Sequence, residues 1–349
     1  MAISAFDHPF LSGLFGDENL AVHLSAEADI AAMLSFEVAL ARAEAKVGIV
    51  PAAAADRITE VCRSFCPDME KLKISVATDS VVVPELVRQL RQAVGGDEAQ
   101  HVHLGATSQD VIDTSLMLRL KATLSLLAGR IEKVISGLDQ LDRAFGERPL
   151  MAYTRMQAAI PITVSDRLRA WRDPLARHLQ AINGLECPVQ FGGAAGSLDR
   201  LGDLGDQVRA ELARELALAD RHQWQSQRDP ILNIGHCLSL VSGTLGKIGQ
   251  DIALMAQSGS EIELSGGGTS SAMAHKQNPV AAEMLVTLAR FNAVQISGLH
   301  QSLVHEQERS GAAWTLEWLL LPQMVMATAT ALRFADQTLG EIRRIGTPA

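Results

Sequence analysis

The sequence predicts an all-α fold, and three observations carry that prediction. Apolar residues make up 47% of the 349 positions but aromatics only 4%, a balance of Ala, Leu, Val and Ile that suits close-packed helices better than a β-sandwich. Two segments carry apolar stripes at spacings of three and four over many turns. No run of alternating apolar and polar residues stands out as a strand, and no internal repeat or low-complexity tract interrupts the chain.

Taken in order, the first part predicts helices of ordinary length, about 27–46, 52–66 and 81–93, separated by "VGIVP", "CPDME" and "VGGDEAQ". The first rod follows at 109–145. It contains no proline, and Ile112, Leu116, Leu120, Leu124, Leu127, Ile131, Val134, Leu138 and Leu141 form one stripe. At 1.5 Å per residue it would be about 55 Å long, the dimension of a bundle of rods. A further helix is expected to begin around Pro161. The second rod, 229–257, repeats the stripe with Ile234, Leu238, Val241, Leu245, Ile248, Ile252 and Met255. It adds small residues at Gly235, Ser239, Ser242, Gly246 and Gly249. Glycine costs about 1 kcal/mol against alanine inside a helix, so such a series predicts close approach of a neighbouring backbone. A third rod continues through Met284, Leu288, Phe291, Gln295 and Leu299. The change from short helices to rods predicts an N-terminal helical domain over 1–98, a long-helix bundle domain over 99–340 and a short tail over 341–349.

Composition also excludes. The chain has 31 basic against 40 acidic residues, a net charge of −9, with no Lys/Arg block, which disfavours nucleic acid and anionic membranes as partners. An anionic substrate would have to find its positive charge locally. Cys62, Cys66, Cys187 and Cys237 complete no zinc pattern and read as packed thiols. The start "MAISAFDHPF" resembles no signal peptide, and no apolar run reaches the length of a membrane span, so a cytoplasmic location is expected.

Three polar, non-periodic segments stand at the ends of the rods. "HVHLGATSQDVIDTS" (101–115) opens the first. Thr107, Ser108 and Asp110 suit a helix N-terminus, whose free N–H groups can donate either to these caps or to a substrate carboxylate. "YTRMQAAIPITVSD" (153–166) carries Arg155 and Gln157 on either side of an apolar residue. "SGGGTSSAMAHKQNPVAAE" (265–283) supplies glycines for unusual dihedrals, the hydroxyls of Ser270 and Ser271, the charge of Lys276 and the amide of Asn278. Read from its residues alone, this last segment is equally a flexible connector or an anion site.

In this order the three segments resemble the signatures of the fumarase/aspartase superfamily. "GTSSAMAHKQNP" is similar to its Gly-Ser-Ser-x-Met-Pro-x-Lys-x-Asn-Pro motif, with Thr269 for Gly and Ala274 for Pro. "HLGATSQDVIDTS" is similar to the first signature, and "TRMQAAIPIT" to the second, usually Thr-His-x-Gln, with Arg155 in place of His. The match in order and spacing spans about 100–310. Within the superfamily "FGGAAGSLD", "WQSQRDPILNIGHCLSLVSGTLGKIGQDIALM" and "ERSGAAWTLEWLLLP" look most like the branch of cycloisomerases that close carboxylated muconates to lactones in aromatic catabolism.

That resemblance implies a helical protomer, a homotetramer with active sites shared between subunits, a polycarboxylate substrate and no cofactor or metal. It implies that most of the small C-terminal domain of longer relatives is missing. By resemblance Ser270 is the proton donor, Lys276 steadies its alkoxide or the charge growing on substrate, and Glu283 is the third catalytic residue. His103, Thr107, Ser108, Gln109, Arg155, Gln157, Arg228, Ser271, Met273, His275 and Asn278 are expected to bind substrate. A guanidinium stays protonated, so Arg155 is expected to meet substrate or Glu283 and not to titrate as a base. The alternatives are a fumarate-releasing lyase of the same superfamily and a non-enzymatic helical scaffold.

Overall fold

A computed structural model describes residues 4–269, 273 and 277–347. Helices dominate it. α1 (Ser12–Phe15), α2 (Glu18–Leu24), α3 (Ala26–Val47), α4 (Ala52–Cys62), α5 (Met69–Asp79) and α6 (Val83–Val94) form the N-terminal part. The rods are α7 (Ser108–Phe145), α8 (Val164–Asn183), α10 (Asp229–Ser258), α11 (Val280–Gln301) and α12 (Gly311–Glu341), with the shorter α9 (Gly205–Leu216) set beside α3.

The apolar stripes decide how the rods pack. All nine stripe residues of α7 and all seven of α10 are buried. They join one core that also takes in Leu34, Phe36 and Leu40 of α3 and Met324, Val325 and Leu332 of α12. Helix length changes near residue 100, at a 3-10 turn over Asp97–His101, and the core runs past that turn without a break.

The small residues on α10 do what their cost suggested. A methyl at Gly249 would stand 2.4 Å from the backbone oxygen of Ala282, and one at Gly246 would stand 2.4 Å from Cβ of Ala289, so α10 and α11 touch backbone to backbone. Ser242 Oγ accepts from Asn292 Nδ2 at 2.6 Å in the same seam. We therefore expect Gly249→Ala to lose about 1–3 kcal/mol by overpacking despite alanine's better helix propensity. Gly129→Ala, with open space around the new methyl, should gain about 0.5–1 kcal/mol. Denaturant midpoints of the two variants check the contrast.

One segment departs from the expected order. The helix expected around Pro161 starts at Val164, and the residues before it form a β-hairpin, β1 (Pro149–Thr154) with β2 (Gln157–Thr163). Thr154 pairs with Gln157, which leaves Arg155 and Met156 as a two-residue turn with φ of 50° and 66°. Both central residues of a type I′ turn need positive φ, normally met by Asn or Gly. Tyr153, Met156 and Ile160 are exposed on this hairpin. Two short pairs complete the strands: β3 (Ile262–Leu264) with β6 (Ile342–Ile345), and β4 (Gly268–Thr269) with β5 (Gln277–Asn278).

Candidate active site

The N-terminus of α7 is held in place by an enclosed carboxylate. Asp110 accepts from the N–H of Thr107 at 3.0 Å, closing the helix cap. It also accepts from Gln190 Nε2 at 3.0 Å and from the amides of Gly192 and Gly193 at 2.9 and 3.0 Å. Burial lifts this carboxyl to about 6 although those N–H donors pull the other way. The glycine loop "FGGAAG" is thereby tied under the first signature.

Beside this cap lies a pocket of about 560 Å³ lined by Arg88, Arg91, His103, Ala106, Thr107 and Ser108. Of its basic side chains, Arg88 already meets both oxygens of Glu85 and His103 meets Glu37, which leaves Arg91 as the cation here with no carboxylate partner among the described residues. Arg91 Nη2 donates to the carbonyl of Val102 at 2.9 Å, fixing the loop on which His103 sits. The His103 Nδ1 is 2.7 Å from Glu37 Oε1.

Two residues expected to bind substrate are used up inside the protein. Gln109 is fully buried: its Nε2 donates to Asp113 Oδ2 at 3.1 Å and to the carbonyl of Gln225 at 2.8 Å, while its Oε1 accepts from Arg309 Nε at 2.9 Å. Arg228 is likewise enclosed. It donates to both oxygens of Asp113 at 2.6 and 3.1 Å and to both of Glu317 at 2.9 and 2.6 Å, and it lies 4.7 Å over the Trp224 ring. The expectation that either side chain faces substrate does not match the chain as folded, because Gln109 Nε2 is engaged by Asp113 and a backbone carbonyl and Arg228 by Asp113 and Glu317.

Arg309, which the sequence reading does not single out, packs against the first signature. Its guanidinium reaches Gln109, Thr107 Oγ1 at 3.4 Å and the carbonyl of Ala194 at 3.2 Å, so it clamps the first signature to the glycine loop. The signal for it lay in "ERSGAAWTLEWLLLP", a stretch whose arginine was not singled out.

The second signature lies at the far end of the rod. Residues 108–145 make 38 helical residues, about 56 Å of helix, between Thr107 and the hairpin that carries Arg155 and Gln157. Arg155 lines a second pocket of about 560 Å³ with Arg167, Lys247, Asp251 and Glu261. Burial, helped by the charge of Arg167, lowers the Lys247 ammonium to about 8, and its partner there is Asp251. Asp251 also accepts from Trp171 Nε1 at 2.7 Å.

The third signature is described only in part. Ser270, Ser271, His275 and Lys276 lie outside the described residues. The described stem has Gly268 opposite Asn278, and a methyl at Gly267 (φ 135°) would stand 2.6 Å from the Asn278 carbonyl oxygen. Ser265 anchors the approach by donating its N–H to the Glu341 carbonyl at 2.8 Å. Met273 is exposed, and Glu283 stands exposed in the first turn of α11. Among the described residues no ion pair within the chain joins Arg155 to Glu283, and no group of three or more His, Cys, Asp and Glu side chains could hold a metal. No helix among them is long and apolar enough to cross a membrane.

Helical rods with polar signatures at their ends are the architecture of a lyase family. The lyase family model matches residues 8–298, and the chain belongs to that family, the fumarase/aspartase superfamily of enzymes. It is 41% identical over 315 residues to the 3-carboxy-cis,cis-muconate cycloisomerase of Pseudomonas aeruginosa, covering 87% of this chain and 68% of that relative. The crystal structure of the 3-carboxy-cis,cis-muconate lactonizing enzyme from Pseudomonas putida superposes with a TM-score of 0.89 at 34% identity, over 96% of this chain and 77% of that one. A fumarate lyase from a Mesorhizobium species superposes with a TM-score of 0.88 at 32% identity, over 95% and 76% of the two chains.

Proposed function

We propose that the protein is a cofactor-independent cycloisomerase that closes 3-carboxy-cis,cis-muconate to a carboxymuconolactone. The observation that carries this reading is the pocket at the first signature, where Arg91, with no carboxylate partner among the described residues, stands beside the His103 ring and the N-terminus of α7 at Thr107 and Ser108. A substrate with three carboxylates needs such a site. One substrate carboxylate oxygen supplies the electron pair of the new C–O bond. The diene π pair moves toward a second carboxylate as an aci-carboxylate dianion, and a proton delivered to carbon collapses it. Stabilising that dianion is the main catalytic burden. By family resemblance Ser270 delivers the proton, Lys276 steadies the alkoxide left behind, Asn278 orients a carboxylate and Glu283 completes the catalytic set.

The working form in this reading is a homotetramer with shared sites. Thr107 and Arg155 stand at opposite ends of a helix of about 56 Å, so a site that uses both must draw them from different copies. The substituted guanidinium at Arg155 favours carboxylate binding over the proton transfer that His performs in lyases. Purified protein with chelator present should remove the ultraviolet absorbance of 3-carboxymuconate and sediment as a tetramer. Fumarate released from adenylosuccinate or argininosuccinate, with muconate untouched, would replace this reading with the lyase alternative.

A further inference from the structure

We propose that Glu37 is a positioning residue of the first-signature pocket: its carboxylate orients the His103 ring and holds it as an imidazolium that faces substrate through Nε2. Glu37 reaches His103 from α3, 66 residues earlier in the chain, with Nδ1 and Oε1 2.7 Å apart. The Glu37 side chain is 1% exposed, and its other oxygen has no hydrogen-bond partner among the described residues. A carboxylate so enclosed needs a counter-charge, and the ring is its ion-pair partner among the described residues.

The neighbours of the pair favour the same assignment. Glu44, two turns along α3, is fully buried with neither oxygen bonded, and burial, reinforced by the charge of Glu37, raises it to about 9. Glu44 is therefore neutral at physiological pH, and Glu37 is the member of the two that meets the His103 ring. Three charged groups face the His103 ring: Glu37 on α3 and Asp110 on α7 favour its proton, whereas Arg91 on α6 opposes it. Burial alone would strip the ring of its proton, but Glu37 and Asp110 together outweigh it and the net direction is upward. The backbone adds a second sign of function. His103 has φ of 62°, a left-handed conformation that a non-glycine residue keeps only where its surroundings enforce it.

The test has two arms, of which only the second rests on the reaction proposed above. In the first, His103 of the intact protein is modified with diethyl pyrocarbonate across a pH series and followed by peptide mass spectrometry, since only the neutral ring reacts. The wild-type midpoint should lie above the free-imidazole value of about 6.5, and Glu37→Gln, which can still accept from Nδ1–H, should lower it by about one unit or more. In the second, Glu37→Gln should raise KM for 3-carboxymuconate about tenfold near pH 8 with kcat little changed, and should match wild type near pH 6. A wild-type midpoint at or below 6.5 overturns the proposal even if the variant does not fold, and so does a midpoint that Glu37→Gln leaves in place. A shifted midpoint in a protein that turns over no muconate would refute the reaction and uphold the role of Glu37.

Discussion

Arg228→Leu is expected to destabilise the protein by about 3–5 kcal/mol, seen as a large drop in the denaturant midpoint. Arg228 stands just before α10 and bridges Asp113 of α7 to Glu317 of α12, with all three side chains enclosed. Trp314 Nε1 donates to Asp113 at 2.9 Å and Gln109 Nε2 to the same carboxylate, so the cluster pins three rods and the first signature at one point. Burial works against the guanidinium's charge, and Asp113 and Glu317 more than restore it. Burial also raises the Glu317 carboxyl despite Arg228 beside it. Removing the cation leaves two carboxylates in the core with no counter-charge, which costs far more than the intact network contributes. Replacing Arg228, Asp113 and Glu317 together by apolar residues should therefore be milder than Arg228→Leu alone. Equal stabilities for wild type and Arg228→Leu would show that the cluster holds nothing.

Glu44→Gln should make the protein less sensitive to rising pH. The folded carboxyl sits at about 9 against an ordinary 4.5, with burial as the main cause and the charge of Glu37 second. A raised folded pKa means that the folded state binds the proton more tightly. The associated stability is complete below the unfolded value and is lost as pH climbs toward 9. In that window the loss amounts to about 1.4 kcal/mol per pH unit, or about 3 kcal/mol between pH 6 and 8 as an upper bound. The glutamine variant carries no such proton, so its advantage over wild type should widen over that range. Melting temperatures across the pH series check this, and parallel curves for the two proteins would show that Glu44 is ionised in the fold.

The rods were legible because each buries one apolar stripe, and α7 and α10 begin and end within a residue or so of where the pattern does. α12 offers no such stripe because it is apolar on nearly every face: Trp314, Leu321, Met324, Val325, Ala329, Leu332 and Phe334 are all buried. An enclosed helix of that kind shows no stripe to find. The hairpin at 149–163 was illegible for another reason. Its turn is built on Arg155 and Met156, residues that do not advertise positive φ, and Pro161 sits in its second strand. Among site residues, the sequence announces donor types but not whether those donors are already taken. Hence His103, Thr107 and Ser108 line a pocket, whereas Arg228 and Gln109 are internal. Arg309 and Glu37 act across 200 and 66 positions of sequence, distances over which no local pattern reports contact.

The unbroken α7 works as a gauge block. Its side chains can drift so long as the apolar seam survives, but its residue count cannot: deleting one position would swing everything beyond it by about 100° and draw it in by 1.5 Å. Two sets of groups mounted on its ends are thus machined to a fixed spacing, and change in this lineage should alter the fittings while leaving the bar uncut.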